Sequence, residues 1–262
     1  MKSSILTEKP IALYEYFLID YKELFDIDLD KASRIRKDNS LFTELIERWY
    51  EHLDAGNLDE AFKVYDDDYY FVDIFNCFVG YSRNYIKRLL KPSLPDDRSI
   101  YDLLKNTKSF VDIGCGISYS TCALKELFPD ATGYAINLKD TKQWKLCEIM
   151  AARYDFNLIE SVDDVKHEVD FVFASEYFEH IYNPTEHVRE IMDAVSPKYF
   201  IIANAFNTSS IGHFREYEFE HSIVDGRKMS KIFNLFMKQN GYEKVECKMW
   251  NSKPMVWRRI DD

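Results

Sequence analysis

The first hundred residues place their hydrophobic side chains at helical spacing. Apolar residues recur every three or four positions from residue 10 to 25 and from 41 to 53, and an aromatic-rich stretch runs from Tyr69 to Leu90. This period collects apolar side chains on one face of a helix. Two prolines and two adjacent acids between residues 92 and 97 mark a linker. The pattern therefore predicts a helical cap over residues 1–95.

The pattern changes after residue 108, where short apolar runs alternate with amphipathic segments. Strands are predicted at 109–113, 131–136, 157–160, 169–174 and 199–204, with helices at 118–127, 141–154 and 184–195 between them. Alternation of this kind builds right-handed βαβ units around a parallel sheet. A helix at 228–240 then precedes two strands, 242–250 and 254–260, joined as a hairpin by Asn251-Ser252-Lys253. We expect an α/β domain over residues 96–262.

Composition and charge exclude several classes of protein. Hydrophobic residues make up 46% of the chain and charged residues 30%, which is ordinary for a globular protein. Only 8 glycines and 7 prolines are present, too few for a turn-rich all-β fold. Acidic residues outnumber basic ones by 45 to 34, and a protein that coats nucleic acid needs the opposite balance.

The cysteines and the lengths of the apolar runs indicate the cellular compartment. The five cysteines form no CxxC pair, residues 1–10 contain no signal-peptide core, and no run of 18 apolar residues occurs. Reduced thiols in a soluble, cytoplasmic protein are the simplest interpretation. No membrane partner is expected, and a homodimer is left open.

A glycine loop between a strand and a helix carries the first chemical indication. The strand ending in Asp112-Ile113 is followed by Gly114-Cys115-Gly116, which opens the next helix. Glycines at such a junction let a ligand approach the backbone closely, although a tight structural turn also accounts for them. A dinucleotide site prefers a third glycine where Tyr119 stands, so a nicotinamide dehydrogenase is disfavoured.

The segment Asp112-Ile113-Gly114-Cys115-Gly116 resembles the D/E-x-G-x-G motif of class I S-adenosylmethionine-dependent methyltransferases. Downstream, the run from Asp170 to Ile181, with its Glu-His-Ile ending, resembles the fourth strand of that family and the segment after it. The resemblance covers roughly residues 108–262. It implies a Rossmann-like, seven-stranded, mostly parallel sheet with an antiparallel C-terminal hairpin. S-adenosylmethionine is the implied cofactor and S-adenosylhomocysteine its product.

The resemblance also implies the residues that bind the cofactor. The loop from Asp112 to Gly116, including Gly114 and Cys115, would hold the methionine part, with Asp112 orienting its amino group. Ala135 stands where the family has an acid for the ribose, so Asn137 or Asp140 would replace that acid. Ser161 and Asp163 would border the adenine, although Asp163 also suits a solvated turn, and Ser175 would border the cofactor from the fourth strand.

His180 is the first candidate for a catalytic base. By the resemblance it follows the fourth strand at the lip of the cofactor cleft, where it can take a proton from an acceptor. The alternative is that His180 packs or caps the loop. Glu176 and Glu179 would orient it or contact the acceptor, unless they are only solvated loop acids.

A second polar cluster lies between residues 211 and 221, beyond the predicted fifth strand. His213 is a second candidate base. Together with Arg215 and Tyr217 it would bind an anionic or hydroxyl-rich acceptor, and the Arg215 guanidinium can form two parallel hydrogen bonds to a carboxylate or phosphate. The alternation from Phe214 to Glu220 fits a surface strand equally well. A metal site built from His180, His213, Glu216 and His221 lacks diagnostic spacing, and no metal is expected.

The aromatic residues of the cap have two interpretations: ordinary core packing or the wall of an acceptor pocket. The residues concerned are Tyr69, Tyr70, Phe71, Phe75, Tyr81 and Tyr85. Trp144 similarly packs beside adenine or fills a helix–sheet interface.

Together these observations predict a methyltransferase that acts on a small molecule, with oxygen as the favoured acceptor atom. A sugar, a phosphate-bearing metabolite and a natural-product scaffold all fit. An RNA or protein methyltransferase and a non-catalytic methyltransferase-like subunit are the alternatives. Nucleic acid is disfavoured as a partner because the chain is acidic.

Overall fold

A seven-stranded sheet forms the centre of the computed structural model, which describes residues 4–25, 39–249 and 253–260. The strand order is β3-β2-β1-β4-β5-β9-β8, and a separate two-stranded sheet pairs β6 with β7. The strands are β1 (Ser109–Ile113), β2 (Thr132–Ile136), β3 (Asn157–Ile159), β4 (Phe171–Ser175), β5 (Tyr199–Ala203), β6 (Glu216–Phe219), β7 (Ser222–Asp225), β8 (Tyr242–Lys244) and β9 (Met255–Arg259).

Helices cover the sheet and precede it. Before β1 the described helices are α1 (Pro10–Phe25), α2 (Asn39–Asp54), α3 (Leu58–Phe62), α4 (Asp68–Cys77), α5 (Arg83–Leu89) and α6 (Ile100–Leu104). A 3-10 turn at Lys63–Asp66 and a π-helical turn at Phe78–Ser82 connect three of them. After β1 come α7 (Tyr119–Leu127), α8 (Lys142–Tyr154), α9 (Pro184–Val195) and α10 (Gly226–Gln239).

The sheet confirms the predicted architecture. Strands β1 to β5 pair in parallel, β9 runs antiparallel to β5, and β8 runs antiparallel to β9. All five residues of β1 are buried, because helices cover both faces of a parallel sheet. Parallel pairing brings the carboxyl ends of β1, β2 and β4 to one edge, so the residues after Ile113, Ile136 and Ser175 meet there.

The C-terminal hairpin is shorter than its pattern predicts. Strand β8 ends at Lys244, and residues 245–249 form no regular element, although Val245 N still donates to Val256 O at 2.8 Å. Trp250, Asn251 and Ser252, predicted to complete the strand and the turn, lie outside the described residues.

Aromatic side chains hold α1 against α4. Phe17 lies with its ring centroid 5.4 Å from that of Phe71 and 5.1 Å from that of Phe75, and Tyr21 stacks on Phe71 at 4.4 Å. Rings at these separations gain both buried area and favourable quadrupole contacts. For these aromatics, core packing is therefore the observed use.

Charged and polar contacts join the helices before β1 to the α/β part. Arg153 on α8 forms two hydrogen bonds to the Asp20 carboxylate of α1, at 2.7 and 2.8 Å. Lys142, at the start of α8, pairs with Asp68 at 2.7 Å. These contacts hold α1 against the last turn of α8 and α4 against its first turn.

Candidate active site

The glycine loop turns sharply between β1 and α7. Gly114 and Gly116 have φ angles of +65° and +58°, a region where a Cβ is disfavoured. A Cβ on Gly114 would overlap the Tyr177 ring, and one on Gly116 would lie 2.7 Å from Cγ2 of Ile74. Both glycines are therefore required by the backbone and by close neighbours, one from the β4 loop and one from α4.

Asp112 is a buried carboxyl at the base of this loop. Ser120 Oγ and Thr121 Oγ1 of α7 both donate to its Oδ2 at 2.6 Å, and no described residue donates to Oδ1. Burial raises the pKa of Asp112 to about 6, and the two hydroxyl donors oppose that rise. Oδ1 is thus left to interact with a cationic ligand group, since a carboxylate in a buried site needs such compensation.

The loop amides divide into two pairs. Gly114 N and Cys115 N both donate to Ile136 O at 3.1 Å, which ties the loop to the end of β2. Among the described residues no acceptor is assigned to the N–H groups of Gly116 and Ile117. Two free amides at a strand–helix junction suit the binding of a carboxylate.

Asn137 connects β2 to the loop. Its Nδ2 donates to Gly116 O at 2.6 Å, and its Oδ1 accepts from Leu138 N at 2.8 Å. Ala135 is fully buried within β2, and Asp140 is exposed. Of the two predicted replacements for the ribose acid, only Asn137 lines the cavities described next.

An outer cavity of about 650 Å³ opens beside the ends of β2 and β3. Asn137, Ser161 and Asp163 line it, as does Glu160, whose carboxylate pairs with Lys139 at 2.5 Å. Ser161 Oγ also accepts from Asp163 N at 3.1 Å, so these two residues cap a 3-10 turn as well. Trp144 is not among the described residues that line this cavity or the inner one; its Nε1 donates to Glu148 at 3.2 Å.

An inner cavity of about 520 Å³ lies under the N-terminal helices. Asp112, Gly114, Cys115, Gly116 and Ser175 line its floor. The two cavities adjoin at Tyr177, Asn137, Leu138 and Gly114, which line both. Tyr177 is held there because its hydroxyl lies 2.9 Å from His187 Nε2.

The N-terminal helices close the inner cavity from above. Ser82 Oγ lies 2.9 Å from Ser175 Oγ, and the Tyr85 hydroxyl donates to the Glu176 carboxylate at 2.9 Å. The residues of this region that line the cavity are Phe62, Tyr65, Tyr70, Asp73, Ile74, Cys77, Phe78, Tyr81, Ser82 and Tyr85. The aromatic residues of these helices therefore have both predicted uses. Phe71 and Phe75 pack in the core, and Tyr70, Tyr81 and Tyr85 line the cavity wall.

His180 lies on the wall of the inner cavity, in a 3-10 turn after β4. The Tyr65 hydroxyl is 2.9 Å from its Nδ1, and a Cβ on Gly212 would lie 2.6 Å from the same nitrogen. A hydrogen bond from the ring to the backbone of Gly212 raises the pKa of His180, but burial lowers it by more. The neutral ring carries one proton and keeps its other nitrogen as a proton acceptor.

His213 packs edge-on against His180, with ring centroids 4.7 Å apart. Its Nδ1 lies 2.8 Å from Thr208 O, a contact in which the ring N–H donates. Burial is the main cause that lowers the pKa of both histidines, and for His180 the nearby His213 lowers it further. Both rings are therefore neutral at pH 7, and both line the inner cavity.

Three residues predicted to contact the acceptor lie elsewhere. Glu179 is fully buried, and its Oε1 accepts from Ala205 N at 2.8 Å. Tyr217 is also fully buried and donates to Glu179 O at 3.2 Å. Arg215, which directly precedes β6, lies 3.6 Å over the Tyr50 ring and 3.7 Å from Asp54. In this conformation none of the three touches the inner cavity.

Within residues 4–25, 39–249 and 253–260, no group of three or more metal-ligating side chains is arranged to hold an ion. Glu216 and His221 belong to the hairpin of β6 and β7, apart from the two cavity histidines. In the same part of the chain, no helix has the length and apolar character needed to span a bilayer.

Four residues of the site escaped the sequence analysis: Tyr65, Asp73, Glu160 and Tyr177. Glu160 directly follows β3 at the carboxyl edge of the sheet, and this position in the sequence could have indicated that it belongs to the site. The position of Tyr177, two residues before the Glu-His-Ile ending, was another. Tyr65 and Asp73 belong to the N-terminal helical region, and nothing local relates them to residues about one hundred positions away.

One family of known proteins matches part of the chain. Residues 111–203, about a third of the chain, match a family described as a methyltransferase domain. The match begins inside β1 and ends with β5, so it contains the glycine loop and the His180 turn. No curated protein matches the chain.

Solved structures of methyltransferases also align with the chain. Mitomycin 7-O-methyltransferase shares the fold over 97% of this chain and 74% of its own, with a TM-score of 0.52 and 10% identity. An O-methyltransferase family protein from Burkholderia thailandensis aligns over 96% and 72%, with a TM-score of 0.48 and 10% identity. The N-terminal domain of EvdMO1, solved with S-adenosylhomocysteine bound, aligns over 62% and 78%, with a TM-score of 0.42 and 13% identity.

Residues 111–203 therefore form a methyltransferase domain, and the sheet order and the glycine loop agree with the class I, S-adenosylmethionine-dependent type. S-adenosylmethionine is its cofactor. The residues at the loop fit that molecule, because a buried carboxyl oxygen and two free amides complement the charges of its amino and carboxylate groups.

Proposed function

We propose that this methyltransferase methylates a hydroxyl group of a small molecule bound in the inner cavity. Residues 1–95 form the cap that encloses the acceptor, and residues 96–262 form the catalytic domain. One observation carries the proposal: the neutral imidazole of His180 lines a cavity that the glycine loop also lines. A proton acceptor and the methyl donor thus share one enclosed space.

The loop and the strand ends hold the cofactor. Asp112 Oδ1 binds the amino group, and the amides of Gly116 and Ile117 bind the carboxylate. Asn137 and Glu160 serve the ribose, while Ser161 and Asp163 border the adenine in the outer cavity. Gly114, Cys115 and Ser175 complete the wall. When bound, the sulfonium supplies an electrophilic methyl group whose transfer removes a positive charge.

His180 takes the proton that an acceptor hydroxyl loses. The Tyr65 hydroxyl, 2.9 Å from Nδ1, holds the ring in one orientation. Burial keeps the ring neutral at pH 7, so the base does not have to be deprotonated first. His213 is a second neutral imidazole beside it and positions the ring of His180 by edge-to-face packing.

The cap favours a small acceptor over a macromolecule. Helix α4 and the turns around it cover the glycine loop, with Ile74 lying against Gly116. A nucleic acid strand or a protein tail needs an open groove, and the described cap residues occupy that space. The net charge of −11 also opposes binding to RNA.

The proposal is tested by methyl transfer from isotopically labelled S-adenosylmethionine to three separate fractions of a cell extract: small molecules, total RNA and total protein. Label is expected in the small-molecule fraction. His180→Ala is expected to abolish the transfer, while its affinity for S-adenosylhomocysteine, measured by calorimetry, stays within about threefold of wild type.

Label that enters only RNA or only protein would overturn the small-molecule assignment. Undiminished transfer by His180→Ala would remove the base assignment and leave His180 as a packing residue. His221→Ala is the matched control, because His221 has a fully exposed side chain on the hairpin of β6 and β7.

A further inference from the structure

One face of helix α4 carries polar side chains that have no role in the proposed cofactor binding or proton transfer. Tyr70, Asp73 and Cys77, at positions i, i+3 and i+7, all line the inner cavity. The other side of the helix, with Phe71 and Phe75, packs into the core against α1. The helix therefore presents one carboxyl group to the space reserved for the acceptor.

The Asp73 carboxyl has no cationic partner among the described residues. Its one described contact is weak, a 3.9 Å approach of the Cys77 thiol. Other acids of the cap are paired: Asp20 with Arg153, Asp67 with Arg48, and Asp68 with Lys142. Burial raises the pKa of Asp73 to about 6, so at pH 7 it is mostly ionised and lacks compensation.

The charges of the inner cavity isolate Asp73 further. Three acidic residues line the cavity: Asp73, Asp112 and Glu176. The amino group of the cofactor neutralises Asp112. Lys253 is the cation described on the cavity wall, and it pairs with Glu176 at 3.4 Å. The two cavity histidines are neutral at pH 7. Once the cofactor is bound, Asp73 is the carboxylate that remains uncompensated.

Aromatic rings surround the same space. Tyr70 on α4, Tyr81 in the π-helical turn and Tyr65 in the 3-10 turn line the cavity with Asp73. Burial raises the pKa of Tyr65 and Tyr70, so their hydroxyls stay protonated and their rings uncharged. The faces of neutral aromatic rings attract cations, most strongly where water is excluded.

We infer that the acceptor carries a positively charged amino or ammonium group, and that this group binds to the Asp73 carboxylate among the cavity tyrosines. The inference rests on the proposed function, since it names the substrate class of that site. Asp73 is thereby a specificity residue: it attracts cationic acceptors and repels carboxylate- or phosphate-bearing ones of the same size.

A permanently charged probe tests the inference by calorimetry on the full chain saturated with S-adenosylhomocysteine. Phenyltrimethylammonium is the cationic probe and benzenesulfonate the anionic control. The cation is expected to bind at about pH 7.5, and the sulfonate is not. Asp73→Asn is expected to weaken binding of the cation at least about 10-fold and to leave the affinity for S-adenosylhomocysteine unchanged. Asp59→Asn, an exposed acid of α3, is the matched control and should behave as wild type.

The pH dependence provides an independent readout, because the charge of phenyltrimethylammonium does not change with pH. With a pKa of about 6, roughly one eleventh of Asp73 is ionised at about pH 5 and nearly all at about pH 7.5, so binding should tighten about 10-fold. His180, His213, Glu176, Asp112 and Lys253 also face the cavity, and Cys77 and Tyr70 lie beside Asp73 on α4. If the affinity of Asp73→Asn for the cation does not change with pH, the pH dependence of the wild type is assigned to Asp73.

Three results would overturn the inference: no binding of the cation at about 10 mM to the S-adenosylhomocysteine complex, equal binding of the sulfonate, or full affinity in Asp73→Asn. In each case bound S-adenosylhomocysteine leaves the proposed function standing. Failure of S-adenosylhomocysteine itself to bind would overturn both proposals.

Discussion

Replacing Gly114 by alanine tests how the glycine loop is built. The added Cβ requires alanine to adopt a φ of +65°, which costs about 1–2 kcal/mol. It also lies 2.9 Å from Cε2 of Tyr177 and closer still to a neighbouring ring carbon. Tyr177 is held by His187 at 2.9 Å, so moving its ring costs about 1 kcal/mol more.

The sum is about 2–3 kcal/mol, which lowers Tm by about 4–12 °C in a protein of this size. Because the displaced loop carries the amides and Asp112, affinity for S-adenosylhomocysteine should fall at least about 10-fold, equivalent to ~1.4 kcal/mol. Differential scanning fluorimetry measures the first quantity and titration calorimetry the second.

Gly241→Ala separates backbone strain from steric overlap. Gly241 has a φ of +81°, and nothing lies within 4 Å of the position that an added Cβ would occupy, so this variant bears only the strain. Its Tm should fall by about 2–8 °C while its affinity for S-adenosylhomocysteine stays unchanged. A dissociation constant for Gly114→Ala within about twofold of wild type would refute the reasoning. So would fully additive losses of Tm in the double variant Gly114→Ala/Tyr177→Ala, because removing the ring also removes the overlap.

Three further predictions concern other parts of the site. Affinity for S-adenosylhomocysteine should weaken as the pH is lowered through about 6, because protonation of Asp112 removes the charge that binds the amino group; calorimetry between about pH 5 and 8 checks this, and a flat profile contradicts it. His180→Ala should lower kcat about 100-fold or more, and the acid limb of the wild-type kcat profile should lie below pH 6.5, because burial lowers the pKa of His180. Asp20→Asn should destabilise the fold by about 1 kcal/mol in urea unfolding, since Arg153 loses a bidentate partner but keeps contact with water; an unchanged midpoint would show that this pair does not hold the cap.

Local pattern was sufficient for the strands and the loop. Strands β1, β2, β4 and β5 fall within two residues of the positions that periodicity predicts, because a buried parallel strand requires a continuous apolar run. The loop from Asp112 to Gly116 was also accessible, since all of its parts are contiguous and its glycines are needed by the backbone itself.

In the region beyond β5, the local sequence pattern does not predict which way the side chains point. The alternation from Phe214 to Glu220 correctly indicates a strand with two faces, but it does not say which face meets the cavity. The structure buries Tyr217 beneath the His180 turn and turns Arg215 toward Tyr50 on α2. That choice depends on long-range contacts, of Tyr217 with the Glu179 carbonyl and of Arg215 with Tyr50, which no short window of sequence contains.

The class of protein follows from short stretches of sequence: a parallel α/β sheet, a glycine loop after its first strand, and a histidine after its fourth. Each is a property of neighbouring residues. The surroundings of that histidine and that loop depend instead on long-range packing. Tyr65 and Asp73 reach the cavity from the N-terminal helices, 115 residues before His180 in the case of Tyr65. Contacts over that separation form only when the helices close over the sheet, and the lining of the inner cavity follows from that closure.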